Sequence, residues 1–369
     1  MALFSRRKKT DETPDETQTP PADAPDQATA EDAAPAEAVP QIGISVQAFR
    51  GVGAEAGPEV SLPDPNAAPA PARATAPKAA SAPRPQTAQK RVLPLAPALP
   101  PAPTESVPGM KDNTLLRAAL AEIEQGATNE QLIGVLRQMM QNHLYLRVHG
   151  DARAQLAEGK PLSIAVVRDG ERSYMLAFSS AEAVRESVQR ESEPSATSAI
   201  AQPVTAVLQQ LIAGDFAGLI LDNASGVHRA VFPVEVLTKA LEQADPNMTI
   251  KTLLAAPREE DTMQLVGDAL AKTKMWVAVN DGSGNGQVGI AEAQTADGRR
   301  FLQLFSHPLE IVALGRGDKP LPFEPDQLAK VLAGHDTLAG VIVDSAGPSI
   351  VVERAALGAV MVRAVDVSD

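Results

Sequence analysis

The spacing of apolar residues changes character near residue 112. Beyond that point Leu116, Ala119, Leu120 and Ile123 recur at helical spacing, and Gly126 ends the run. Thr128-Asn129-Glu130-Gln131 has the form of a capping box. Behind it Leu132, Val135, Leu136, Met139 and Met140 make one apolar helix face, with the two methionines as core. Residues 144–148 read as a strand and residues 162–168 as a second. Asp169-Gly170 is a hairpin turn signal, and residues 174–178 form the third strand. Ser179-Ser180-Ala181-Glu182 opens a helix, and a polar loop is predicted over 191–202. Val204, Val207, Leu208, Leu211 and Ile212 mark the next helix, which Gly214 ends. Two strands at 218–221 and 228–232 flank a turn at 222–226, and Pro233 starts a last helix.

The second half repeats these landmarks in order. Met263, Val266, Ala269 and Leu270 lie on a helix, and residues 275–279 form a strand. Asp297-Gly298 turns into a strand over 301–306, and Leu328, Val331 and Leu332 mark a helix closed by Gly334. Ala339-Gly340-Val341-Ile342-Val343-Asp344 then echoes Ala217-Gly218-Leu219-Ile220-Leu221-Asp222. Each copy reads β-β-β-α-β-β-α. Hairpins with short helices predict an α+β fold: two similar modules, each a mixed or antiparallel sheet with helices packed on it. The repeat predicts that Phe178 superimposes on Phe305, and Asp222 on Asp344.

Residues 1–110 are of another kind. They hold 20 of the 31 prolines and few large apolar residues, so they are expected to form a disordered Ala/Pro/acid-rich leader. The predicted boundaries are 1–110 for the leader, 111–250 for a helical lead-in with the first module, and 251–369 for the second. Charge in the leader is blocked: nine acids and no base over 11–37, five bases and no acid over 73–91. Within it, Ile42, Ile44 and Val46 alternate as a strand would, with Phe49 close behind. These four residues are the candidate partner-binding strip, suited to adding as a strand to an exposed sheet edge.

The stretch 175–184, then Ala217-Gly218-Leu219-Ile220-Leu221-Asp222-Asn223, then Phe232-Pro233-Val234-Glu235-Val236-Leu237 resembles the SseB N-terminal-domain family, of the type common in actinobacteria. The resemblance covers roughly 143–243 and, more weakly, 274–360. In the second turn Asn223-Ala224 and Ser345-Ala346 replace the family's Asn-Pro. The resemblance implies tandem SseB-like modules and transfers no catalytic residue.

Composition narrows the chemistry. The chain has no cysteine, which excludes disulfides, thiolate nucleophiles and Cys-type metal sites. Its formal net charge is -13, so general binding to nucleic acid is disfavoured. No apolar run is long enough to span a membrane, and cytoplasmic residence is expected. The loop Gly282-Ser283-Gly284-Asn285-Gly286 is followed by strand-like residues rather than a helix, so it is read as a hairpin loop and not a phosphate cradle. His143, His149, His228, His307 and His335 show no metal-ligand spacing. Asp222 and Asp344 stand at matching strand ends, as acid–base residues or, more simply, as turn caps. Ser179 and Ser306 match as helix caps. The expected function is a non-enzymatic cytoplasmic interaction or regulatory protein with a protein partner, no cofactor and no metal. The alternatives are a small-ligand sensor with a pocket between the modules, or an enzyme using the paired acids.

Overall fold

The computed structural model describes residues 93–191, 196–280 and 289–365. Copy one opens with α1 (Thr114–Ala121) and α2 (Asn129–Met139). Thr128 and Gln131 close the capping box that the sequence announces. Asn113 caps α1 by accepting the Leu116 N–H, and its amide donates to the carbonyls of Gln141 and His143. The cap therefore also ties α1 to β1 (His143–His149). Then follow α3 (Ala152–Ala157), β2 (Val166–Asp169), β3 (Arg172–Phe178) and α4 (Ala181–Gln189). The copy ends with β4 (Thr197–Pro203), α5 (Val204–Ala213), β5 (Gly218–Leu221), β6 (Ala230–Pro233) and α6 (Val234–Gln243).

Copy two comprises α7 (Thr249–Ala255), α8 (Thr262–Leu270), β7 (Met275–Asn280), β8 (Gly289–Ile290), β9 (Glu292–Gln294), β10 (Arg300–Leu304) and α9 (Pro308–Ala313). It continues through β11 (Lys319–Phe323), α10 (Pro325–Gly334), β12 (Leu338–Val343) and β13 (Ile350–Glu353). A 3-10 turn (Arg354–Leu357) and α11 (Gly358–Val365) close it.

The sheet of copy one runs β4-β1-β3-β5-β6, with β2 paired to the outer part of β3. Only β3 and β5 are parallel. Copy two keeps this order as β11-β7 and β10-β12-β13, again with one parallel pair, β10 and β12. Its two parts are joined by a bridge between Trp276 and Phe305, where copy one pairs Tyr145 with Phe178. Phe178 and Phe305 thus hold the same place, as the repeat predicts. So do Gly218 and Gly340. A Cβ there would lie 2.3 Å and 2.1 Å from the carbonyl oxygens of Phe232 and Val352, so only glycine lets these hairpins close.

The interiors follow the sequence periodicity. In copy one Leu116, Leu120, Val135, Met139, Leu144, Val207, Leu208 and Leu237 fill one sheet face. Val266, Leu270, Val277, Leu328, Leu332, Val341 and Leu357 do so in copy two. The methionine pair Met139 and Met140 is fully buried, as predicted.

Two expectations are corrected. The loop predicted over 191–202 contains β4, which pairs with β1 from His143↔Pro203 to His149↔Thr197. Its Ala, Ser, Gln and Pro content has weak strand preference, and its place at the sheet edge tolerates the proline. β11, Lys-Pro-Leu-Pro-Phe, is the matching edge strand and was hidden for the same reason. Each copy therefore carries an extra strand after the first sheet-covering helix. Second, the folded chain reaches back beyond Asp112. Residues 93–110, assigned to the leader by composition, run across both copies as an arm. The Ala96 N–H donates to the Ala346 carbonyl, and the Ser349 N–H donates to Ala98. Val107 and Met110 pack on the second face of copy one beside Tyr145, Phe178 and Val184. Asp112 accepts from Thr104, Ser106 and Arg117 at the end of the arm.

A chain beginning at Leu93 should therefore melt higher than one beginning at Asp112, by about 5 °C or more, because the shorter one leaves buried donors unpaired. Calorimetry of the two proteins checks this; equal midpoints would mean that the arm adds nothing.

Candidate functional site

In both copies the parallel strand pair ends in the same bonded motif. Phe178 ends β3, and Ser179 follows it. Leu221 ends β5, and Asp222 follows with φ of 47°. The Asp222 carboxylate accepts the Ser179 N–H at 2.8 Å and the Ser179 hydroxyl at 2.5 Å. In copy two Asp344, φ 50°, accepts the Ser306 N–H at 2.7 Å and hydroxyl at 2.5 Å. Aspartate suits the position twice over: it tolerates positive φ, and its short side chain reaches the neighbouring strand.

This revises the sequence reading of both residue pairs. The turns are held by backbone oxygens instead: Ser225 N–H to the Asp222 carbonyl and Gly347 N–H to the Asp344 carbonyl. The carboxylates clamp strands β3 to β5 and β10 to β12. The helix caps lie one residue later than expected. Ser180 caps α4 by accepting the Ala183 N–H, and His307 caps α9 by accepting the Leu309 N–H at Nδ1.

Burial pushes the carboxyls of Asp222 and Asp344 up to about 6, against the pull of the serine hydrogen bonds; the negative charge of Glu310 adds to the rise at Asp344. A carboxyl raised on folding stabilises the fold at low pH. That contribution is full below the unfolded value near 4 and is lost as pH rises through about 6.

Around the second clamp the structure closes over a buried ionic cluster. Glu310, on α9, accepts from Arg137 Nε at 3.0 Å and Nη2 at 2.6 Å, and from Lys251 Nζ at 2.5 Å. Arg137 comes from α2 of copy one and Lys251 from α7. Their side chains are 0% and 4% exposed, and that of Glu310 2%. Arg137 also donates to the carbonyls of Gly347 and Pro94, which brings the arm into the cluster. Burial alone would raise Glu310, but the two cations and their hydrogen bonds hold its carboxyl well below the usual range. His307 donates from Nε2 to the Ala240 carbonyl, and burial together with the Lys251 charge pushes it down to about 4. A cavity at this junction, lined by Met248, Lys251, Thr273, Ser306 and His307 among others, measures about 10 Å³, room for one water.

The first clamp looks onto open space. Arg117 on α1, Glu182 and Glu186 on α4, and Asp222, Ser225 and His228 border a cleft of about 160 Å³. Arg117 pairs with Asp112 at 2.6 Å and lies 3.8 Å from Glu182.

The remaining candidates are dispersed or lie elsewhere. His143 contacts the Lys111 carbonyl, and His335 the Val331 carbonyl. Among the described residues no group of three or more His, Asp or Glu could hold a metal ion. No helix among them is long and apolar enough to cross a membrane. Ile42, Ile44, Val46 and Phe49 lie outside the described residues, as does the loop 282–286. Sequence reasoning missed Arg137, Lys251 and Glu310. Their one local signal is a lone charge beside buried apolar neighbours, as in Ile250-Lys251 and Glu310-Ile311.

The model for the family described as SseB protein N-terminal domain matches residues 116–238 and again 250–359. These stretches coincide with the two copies and together exceed half the chain. No curated protein and no solved structure matches it.

Two measurements test this account. Asp344→Asn should gain stability relative to the natural chain as pH rises from 4 to 7, by up to about 3 kcal/mol, since the neutral amide escapes the buried charge. Denaturant midpoints across that range show it; a pH-independent difference would contradict the raised carboxyl. Glu310→Gln should cost about 3–5 kcal/mol by leaving two buried cations without their anion. Urea titration measures this, and a loss below about 1 kcal/mol would mean that water reaches the cluster.

Proposed function

The chain belongs to the SseB protein N-terminal domain family, with the domain present twice, and on that footing we propose that it acts as a non-enzymatic cytoplasmic interaction or regulatory protein. The observation that carries this reading is the employment of the paired acids. Asp222 and Asp344 are the residues that acid–base chemistry would draw on, and each directs both carboxylate oxygens to a serine in a strand clamp. A residue needed identically in both copies to join two strands has a structural task that accounts for its repetition.

Surface features favour protein as the partner. All four residues of β2 are exposed, with Val166 and Val167 at 42% and 36%, and Val231 of the edge strand β6 is at 47%. Apolar side chains on edge strands suit strand addition. The net charge of -13 works against polyanions. The strip Ile42, Ile44, Val46 and Phe49 is the proposed recruitment motif, joined to the folded part through the Pro-rich stretch that leads to Leu93.

The test is a pull-down comparing the intact chain with an Ile44→Asp, Phe49→Ala double variant. Loss of specific partners from the variant is the expected result. Recovery of the same partners by both proteins would remove the motif from the proposal. Substrate turnover abolished by Asp222→Asn in a protein that stays folded would overturn the non-enzymatic reading.

A further inference from the structure

A hairpin stands at the same place in both copies, β5–β6 in one and β12–β13 in the other, and its cover differs. In copy two an extended stretch from the leader side lies along the turn. The Ala96 N–H donates to the Ala346 carbonyl, and the Ser349 N–H donates to the Ala98 carbonyl. A Cβ on Gly347 would come within 2.1 Å of the Ala96 oxygen, so the arm fits tightly. Beyond the turn α8 packs on β13, with Gly267 so close that a Cβ would meet the Ala356 oxygen at 2.0 Å. Val351 is half-buried there and Ala356 is buried.

Strand register sets Val231 of copy one at the place of Val351, since they pair with Ile220 and Ile342 respectively. Three residues after the end of β6, Val236 takes the place of Ala356. In copy one this margin is bare. Val231 is 47% exposed, Val236 43%, and Val227, ahead of the strand, 47%. Among the described residues the outer edge of β6 pairs with no other strand. An apolar margin on a free strand edge is a template for a further strand. Val231 shares its sheet face with half-buried Ile220, and Ile220 packs on the cluster that Val107 and Met110 of the arm also cover. The leader side thus already shields part of the face that ends at Val231.

We propose that the outer edge of β6 receives residues 42–49 of the same chain as an added strand, so that the strip is held in cis until a partner displaces it. This rests on the reading of Ile42, Ile44, Val46 and Phe49 as the recruitment motif and supplies its regulation. The alternation fits the edge. Ile42, Ile44 and Val46 share one side and continue the apolar face of Ile220 and Val231, while Gly43, Ser45 and Gln47 take the other side, toward the rim of α6. No other run of three alternating large apolar residues precedes Leu93. The reach is ample. Residues 50–92 join the strip to Leu93 and span up to roughly 140 Å when extended. A folded part of this size has a radius of gyration of about 18 Å. A tether of that length presents the strip to the edge at about millimolar effective concentration.

The experiment follows amide hydrogen exchange of residues 42–48 by NMR in the full-length protein, with Val231→Lys and the Ile44→Asp, Phe49→Ala double variant as full-length comparisons. In the natural chain these amides should exchange about tenfold more slowly than an unstructured chain does. Val231→Lys changes an exposed edge position and should abolish that protection. The double variant alters nothing in the hairpin, yet it should shift the methyl resonances of Val227 and Val231. Absent protection in the natural chain, protection kept in Val231→Lys, or unmoved valine methyls in the double variant would each overturn the proposal. Protection should also be the same at two protein concentrations tenfold apart. Protection that grows with concentration, together with a dimer in sedimentation, would put the strip on a second copy and remove the assignment in cis. Partner recovery in the pull-down is read separately, so loss of the docked strip leaves the recruitment reading standing, and loss of the partners leaves the docked strip standing.

Discussion

A carboxylate withdrawn from water has to meet compensating charge before the structure around it can close, and Glu310 imposes that condition on this chain. Desolvating an ion costs several kcal/mol even after relaxation. Glu310 is met by a guanidinium from α2 of copy one and an ammonium from α7 of copy two. The guanidinium brings more donors than one carboxylate accepts. Its surplus N–H groups require carbonyls, and Gly347 and Pro94 provide them. Placement of the arm, of the loop after β12, of α2 and of α7 thus follows from one buried charge. The apolar interiors stabilise each copy; the ionic junction fixes how the copies meet.

The duplicated frame separates what the fold requires from what each copy adds. Strand order, the single parallel pair, the glycines at Gly218 and Gly340 and the serine–aspartate clamp recur. The cap after the clamp does not: serine in one copy, a buried histidine in the other. The helix that starts there carries Glu182 and Glu186 toward solvent in copy one and Glu310 toward the junction in copy two. One scaffold therefore supports a closed ionic seam and an open acidic cleft, depending on a few side chains around an unchanged clamp.

Local chemistry was legible in the sequence where it is self-contained. The Thr128–Gln131 capping box, the Asp169-Gly170 hairpin, the apolar face of α2 and the repeat around Asp222 and Asp344 all depend on neighbours in the chain. The edge strands β4 and β11 were not legible. They are held by pairing along β1 and most of β7, and their prolines and small residues carry no strand signal of their own. The arm was missed because its bonds across to Arg137 and copy two use its backbone groups, about which a Pro/Ala composition is silent. The clamp joins residues 43 positions apart in copy one, so sequence could mark Asp222 as special but not assign its partner.

The junction also has a temporal side. Arg137 and Glu310 are separated by 173 residues. At ribosomal rates of roughly 5–20 residues per second, copy one emerges on the order of ten to thirty seconds before its counter-ion exists. Throughout that interval Arg137 stays hydrated at the surface of a half-made protein, and the groove meant for the arm has no second copy behind it. The first domain is thus born with a docking face already formed, and the last third of the chain assembles onto it as an intramolecular ligand would. Burial of this arginine therefore waits until α9 has been made and has docked.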